Sequence, residues 1–182
     1  AFETTPGQDE AAVLAAVAAV QSGSEHPLAR AVVNAAPERG LTVQAPDAVR
    51  AVATNTLRIA KNAATFLPQA EAALGFPIEV IAGREEARLI YIGAAHDLPP
   101  ARHKRLVVDI GGGSTEFIIG KKLDPMLLES LYMGCVSYSL RFFPDGRIDA
   151  RRFAEAEVAA ATEIALIAHA YKAFGWGEVV AS

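Results

Sequence analysis

Apolar positions recur three and four residues apart over the first part of the chain. Val13, Leu14, Val17 and Val20 lie on one side of a helix that Asp9 can cap and that runs to about Gln21. Gly23 and Ser24 break it. Leu28, Ala31, Val32 and Ala35 form the buried stripe of a second helix from about Pro27 to Ala36, with Pro37 and Gly40 at its end. Residues 1–8 read as an irregular lead and residues 1–40 as a helical hairpin. The pattern changes after Ala45-Pro46. Val49–Ala53 and Ile78–Ala82 read as short strands, and 57–74 and Arg84–His96 as the helices that follow them. This alternation favours parallel strands covered by helices. Leu106–Ile110 and Thr115–Ile119 then form a hairpin about Gly111-Gly112-Gly113-Ser114. Gly120–Pro125 turns the chain into a third strand, Met126–Tyr132. A short helix fits Val136–Phe142, a turn Pro144-Asp145-Gly146, a long helix 150–174, and a strand Glu178–Ala181.

Composition narrows the function classes. Of 182 residues, 52% are hydrophobic and 21% charged, which excludes a disordered tail. The net charge of -4 offers no bulk basic surface for nucleic acid. One cysteine excludes an internal disulfide framework and a multi-cysteine zinc site, and fits a reducing, cytoplasmic setting. The apolar runs are too short to span a membrane, and no signal peptide is visible.

The candidate chemistry lies in Asp109-Ile110-Gly111-Gly112-Gly113-Ser114-Thr115-Glu116. Glycine amides in a tight turn can converge on an anion, and Ser114 and Thr115 add hydroxyls. Asp109 at the strand end can hold Mg²⁺ directly or through water. Glu116 can orient a water or the metal shell. The residues alone leave open a plain glycine turn with one solvated carboxylate. Neither G-x-x-x-x-G-K-[ST] nor a G-x-G-x-x-G following a strand is present. Glu85 and Glu86 point about 100° apart on a helix, so both cannot face one site. Taken alone, they are a solvated helix start, Arg58 a surface arginine, and Cys135 a small buried hydrophobe. His26 alone is a helix-start residue, and His96 and His103 are loop residues without ligand spacing.

V-V-D-I-G-G-G-S-T-E resembles the second phosphate loop of the exopolyphosphatase/guanosine pentaphosphate phosphatase (Ppx/GppA) family. The resemblance extends in order through A-V-A-T-N-T-L-R (51–58), I-E-V-I-A-G-R-E-E-A-R-L-I-Y (78–91), L-E-S-L-Y-M-G-C-V-S (128–137) and F-F-P-D-G (142–146). It covers about residues 46–182. It implies a mixed α/β fold with actin/hexokinase/Hsp70-like (ribonuclease H-like) subdomains. It also implies Mg²⁺-dependent hydrolysis of polyphosphate or guanosine pentaphosphate. By that resemblance Glu86 activates the attacking water, and Asp109 and Glu116 surround metal and water, with Asp109 as the metal ligand. Gly111, Gly112, Gly113 and Ser114 cradle phosphate, and Thr54 and Arg58 belong to a loop near the incoming chain.

Residues 9–33 resemble a different family, the nucleotide-binding domain of heavy-metal P-type ATPases. The S-E-H-P-L-A motif stands at Ser24–Ala29, and Glu25 and His26 would contact the adenine of ATP. No D-x-G-S-N-S loop precedes residue 46, and the last strand stops at Ala181-Ser182. These features predict a chimera with a seam between about Gly40 and Asp47. The expected parts are a 1–45 hairpin, 46–100 from a first actin-like subdomain, and 101–182 from a second. Unpaired strand edges predict self-association, as a homodimer by segment exchange. Three functions follow: a hydrolase derivative with little or no turnover alone, a non-catalytic folded chimera, or an ATP-binding fragment.

Overall fold

The structure is a computed structural model and describes residues 8–22, 27–44, 50–99 and 101–181. The Ser24-Glu25-His26 motif and the last part of the predicted seam, residues 45–47, therefore lie outside the described residues. The described chain divides into two compact units, one of residues 1–52 with 62–79, the other of residues 53–61 with 80–182.

In the first unit, α1 (Glu10–Gln21) and α2 (Pro27–Glu38) form the expected hairpin. Asp9 caps α1, its Oδ1 accepting from the Ala11 and Ala12 amides at 3.0 and 3.3 Å. The buried stripes are rotated from those predicted. Leu14, Ala18 and Ala36 are closed in, with Val32, Leu41 and Val43 around them, whereas Val20 and Ala31 face solvent. Small Ala18 and Ala36 at the crossing let the helices approach, and bulkier valines fall to its sides. Pro37 lies within the last turn of α2 instead of ending it. α4 (Ala63–Leu74) also belongs to this unit and ends at Gly75.

β1 (Ala51–Ala53) and β2 (Ile78–Val80) form a two-stranded sheet. Between β1 and α4 comes α3 (Asn55–Ile59), so the helix predicted over 57–74 is two helices. Ala60 between them takes an extended conformation, φ -66° and ψ 122°.

The second unit is built on a four-stranded sheet in the order β5-β4-β3-β6. β3 (Arg105–Ile110) pairs antiparallel with β4 (Thr115–Lys121), β4 pairs antiparallel with β5 (Asp124–Leu131), and β6 (Glu178–Ala181) pairs parallel with β3. The turn between β4 and β5 lies at Lys122-Leu123, shorter than the predicted 120–125. The side chains of the sheet alternate between two cores. On one face Val107 and Ile118 pack with Ala87, Tyr91 and Ala95 of α5 (Gly83–Asp97). On the other, Leu106 and Ile119 pack with Tyr171 of α7 (Ala150–Phe174), the long helix that carries the chain back to β6. α6 (Cys135–Phe142) follows β5. Among the described residues no helix is long and apolar enough to cross a membrane.

Tyr171 is 4% exposed, and its hydroxyl donates to the Phe117 carbonyl at 2.6 Å. Burial pushes that hydroxyl well above the usual tyrosine range. Tyr171→Phe should leave the Phe117 carbonyl short of a donor and cost about 1 kcal/mol. Urea unfolding of the two proteins measures it, and an unchanged midpoint would refute the claim.

Candidate functional site

The hairpin register places three polar side chains in one row. Asp109 pairs with Glu116 across β3–β4, and Glu116 pairs with Ser130 across β4–β5. These residues stand two positions from Val107, Ile118 and Leu128 on their strands, so the row lies on the same face, the one that α5 covers. Glu116 is 1% exposed, and the Ser130 hydroxyl donates to its Oε1 at 2.7 Å.

The first turn of α5 lies beside the row. A Cβ on Gly83 would meet Ser130 Cβ at 2.7 Å, so only glycine allows this approach. The same turn carries Glu85 and Glu86, and they diverge as their helical spacing requires. Glu85 pairs with Arg88 of its own helix at 2.8 Å. Glu86 pairs with Arg58 of α3 at 2.8 Å, both side chains largely buried. Arg58 Nη1 also donates to the Ile81 carbonyl at 2.9 Å, which fixes the guanidinium from two sides. Thr54 precedes α3 and makes no side-chain cap bond.

The glycine turn is held from behind by the start of α6. The amides of Cys135, Val136 and Ser137 donate to the Gly111 and Gly112 carbonyls at 2.9, 2.9 and 3.0 Å. The Gly111 amide donates to the Ser114 carbonyl at 3.0 Å. With those carbonyls engaged, the amides of Gly112 and Gly113 have no protein acceptor among the described hydrogen bonds. Ser114 is 2% exposed, and the Thr115 hydroxyl donates to the Met133 carbonyl. The turn thus presents backbone donors beside three carboxylates.

Burial pushes the Glu116 carboxyl above the ordinary glutamate range. The hydroxyls of Ser130 and Ser114 oppose this, and the charges of Glu86 and Asp109 add to it. An unfolded glutamate titrates near 4.5. The cost of holding Glu116 charged is therefore absent at lower pH and grows as pH rises through the folded value. Glu116→Gln removes that charge and keeps an acceptor for Ser130. It should raise the melting temperature by about 2–4 °C near pH 7 and leave it unchanged near pH 4. Calorimetry at both pH values is the check, and equal shifts at the two would contradict the electrostatic account.

The structure brings together Arg58, Glu86, Asp109, the 111–114 turn and Glu116, all within the second unit. Ser130, Asn55 and Gly134 also lie against these residues, and reading the sequence did not single them out. Ser130 needed the strand register, Asn55 fell between the strand expected over 49–53 and the helix expected over 57–74, and Gly134 had no visible reason to be glycine. Two side-chain expectations are corrected. Cys135 is exposed, because the first residue of α6 turns outward. His96 lies in the last turn of α5, as the helix predicted over Arg84–His96 has it and not as a loop residue.

A family model described as the Ppx/GppA phosphatase family matches residues 39–182. A solved exopolyphosphatase-like protein is 29% identical at TM-score 0.69, over 89% of this chain and 52% of its own. The Aquifex aeolicus member of the Ppx/GppA family is 26% identical at TM-score 0.58, over 96% of this chain and 50% of its own. An exopolyphosphatase from Cytophaga hutchinsonii shares the fold, at 22% identity and TM-score 0.68, over 89% of this chain and 53% of its own. The chain thus spans about half the length of these structures. The chimera and the P-type ATPase origin of residues 1–45 gain no support. The family match begins at residue 39, before the predicted seam, and the Aquifex likeness takes in nearly the whole chain. The fold is mixed α/β of the actin/hexokinase/Hsp70-like kind, and the chain belongs to the Ppx/GppA phosphatase family.

Proposed function

We propose that this chain carries part of the catalytic apparatus of a Mg²⁺-dependent phosphoanhydride hydrolase acting on polyphosphate or guanosine pentaphosphate. The observation that carries the reading is the pairing of a donor-lined glycine turn with the Asp109–Glu116–Ser130 row and Glu86 anchored on Arg58.

The terminal phosphoryl group sits on the Gly112 and Gly113 amides, whose dipoles stabilise charge on its oxygens. Glu86 takes the proton of the attacking water as the new P–O bond forms. Arg58 fixes the position of that carboxylate. The bond to the leaving phosphate breaks in line with the attack. Asp109 and Glu116 are the residues that would hold Mg²⁺. Their fit rests on the buried Glu116 carboxyl, whose charge the neighbouring carboxylates oppose and a cation would offset. Among the described residues no three metal-ligating side chains converge. Mg²⁺ does not require this, since it is commonly held by one or two carboxylates, waters and substrate phosphates. When bound, Mg²⁺ supplies charge neutralisation on the phosphoryl oxygens.

The test is phosphate release from long-chain polyphosphate and from guanosine pentaphosphate by the protein carrying this sequence, with Mg²⁺ and with chelator. Chelator-sensitive release from either supports the reading. No release from either, with the Gly112 and Gly113 amide resonances unmoved by phosphate, would overturn it.

A further inference from the structure

Asn55 opens α3 and is 5% exposed. Its side chain lies against the glycine turn. A Cβ built on Gly113 would sit 2.8 Å from Asn55 Oδ1, 3.0 Å from Cγ and 3.5 Å from Nδ2. Gly113 is therefore the residue that lets this amide reach the turn. Asn55 Nδ2 is fully buried and has no hydrogen-bond partner among the described residues. An amide –NH₂ is two donors, and a buried donor without an acceptor is a cost that native structures rarely carry.

The surroundings narrow what acceptor this donor awaits. A sheltered apolar contact would favour leucine here, which has nearly the shape of asparagine and no donor to satisfy. The acceptor sought belongs beside the Gly112 and Gly113 amides, which also lack protein acceptors among the described bonds. The Asn55 amide beside the turn and the two glycine amides in it are thus three donor groups with no protein acceptor among the described hydrogen bonds. An oxyanion with several acceptor oxygens satisfies all three at once, as a single carbonyl does not.

We propose, resting on the phosphohydrolase reading above, that Asn55 is a phosphate-binding residue, its Nδ2 donating to an oxygen of the phosphoryl group seated on the Gly112–Gly113 turn. The buried donor is left unsatisfied in the free protein and is satisfied by substrate. Binding and stability then make opposite demands on this position.

Asn55→Leu separates this role from a structural one. It removes the orphaned donor, so the free variant should melt at the same temperature or higher. Its affinity for tripolyphosphate in Mg²⁺, measured by calorimetry, should fall about tenfold or more, as expected for a lost hydrogen bond to a charged group. Asn55→Asp, nearly the same shape with a carboxylate in place of the donor, should lose at least as much. In the parent, inorganic phosphate should move the Asn55 side-chain –NH₂ resonances together with the Gly112 and Gly113 amides. Glycine amides that move while the Asn55 –NH₂ stays still would overturn the proposal and leave the phosphohydrolase reading standing. A lower melting temperature for Asn55→Leu with unchanged affinity would do the same, marking a structural asparagine. If no resonance at the turn responds, the phosphate site itself is absent and both claims fall.

Discussion

Glu86→Gln should lower phosphate release by about 10²–10⁴, the usual contribution of a positioned general base. The substitution is nearly isosteric. The Gln carbonyl still accepts from Arg58, which retains its bond to the Ile81 carbonyl at 2.9 Å. The helix start and the guanidinium therefore stay in place, and only the capacity to take a proton is lost. Glu85→Gln is the matched control, one residue earlier on the same helix. Glu85 is engaged with Arg88, and its loss should change the rate less than twofold, apart from a stability cost of a few tenths of a kcal/mol. Steady-state rates for the parent and both variants decide the point. A Glu86→Gln protein at the parent rate, or a Glu85→Gln protein that falls as far, would remove Glu86 from the mechanism.

That pair also shows how far the sequence alone could go. Adjacent helix positions cannot face one site, so helical geometry required that only one glutamate serve it. The residues alone did not say which; the resemblance to the phosphatase family pointed to Glu86, and in the fold that residue is the one paired with Arg58. Long periodic segments were legible: the helix predicted over 150–174 is α7, Ala150–Phe174. The break between α3 and α4 was not, because Ala60-Lys61-Asn62 contains neither glycine nor proline and the apolar spacing runs through it.

The polar row was half legible for a similar reason. A four-residue turn at 111–114 makes Asp109 face Glu116 by counting. Ser130 required more. Counting back from the Lys121–Asp124 pair would set Glu116 opposite Glu129, two like charges, with Ser130 on the other face. A bulge between Ile119 and Gly120 shifts the register by one and brings Ser130 to Glu116 instead. Glu129, turned away, pairs with Arg84. One inserted residue therefore decides whether the buried carboxylate meets a hydroxyl or another carboxylate, and no local residue pattern announces it.

Gly134→Ala should disable the phosphate turn and destabilise the protein by about 2–4 kcal/mol, within the cost of overpacking plus lost hydrogen bonds. The added methyl would lie 2.5 Å from both the Gly112 carbonyl carbon and the Gly113 nitrogen, and 2.6 Å from the Gly112 oxygen. These are backbone atoms, and no side chain can swing aside to make room. Either the glycine turn moves or α6 does. The amides of Cys135, Val136 and Ser137 bridge the two, so either movement breaks bonds that now engage the Gly111 and Gly112 carbonyls. Freed, those carbonyls can turn toward the place where phosphate oxygens would sit, and a donor cradle becomes a mixed one. The two cores of the sheet do not depend on this contact, since Val107, Ile118 and Tyr91 lie on one face and Leu106, Ile119 and Tyr171 on the other. The variant should therefore fold, with a lower urea midpoint and with phosphate-induced shifts lost at Gly112 and Gly113. If Gly134→Ala binds phosphate as the parent does, the start of α6 is not what aims the amides of the turn.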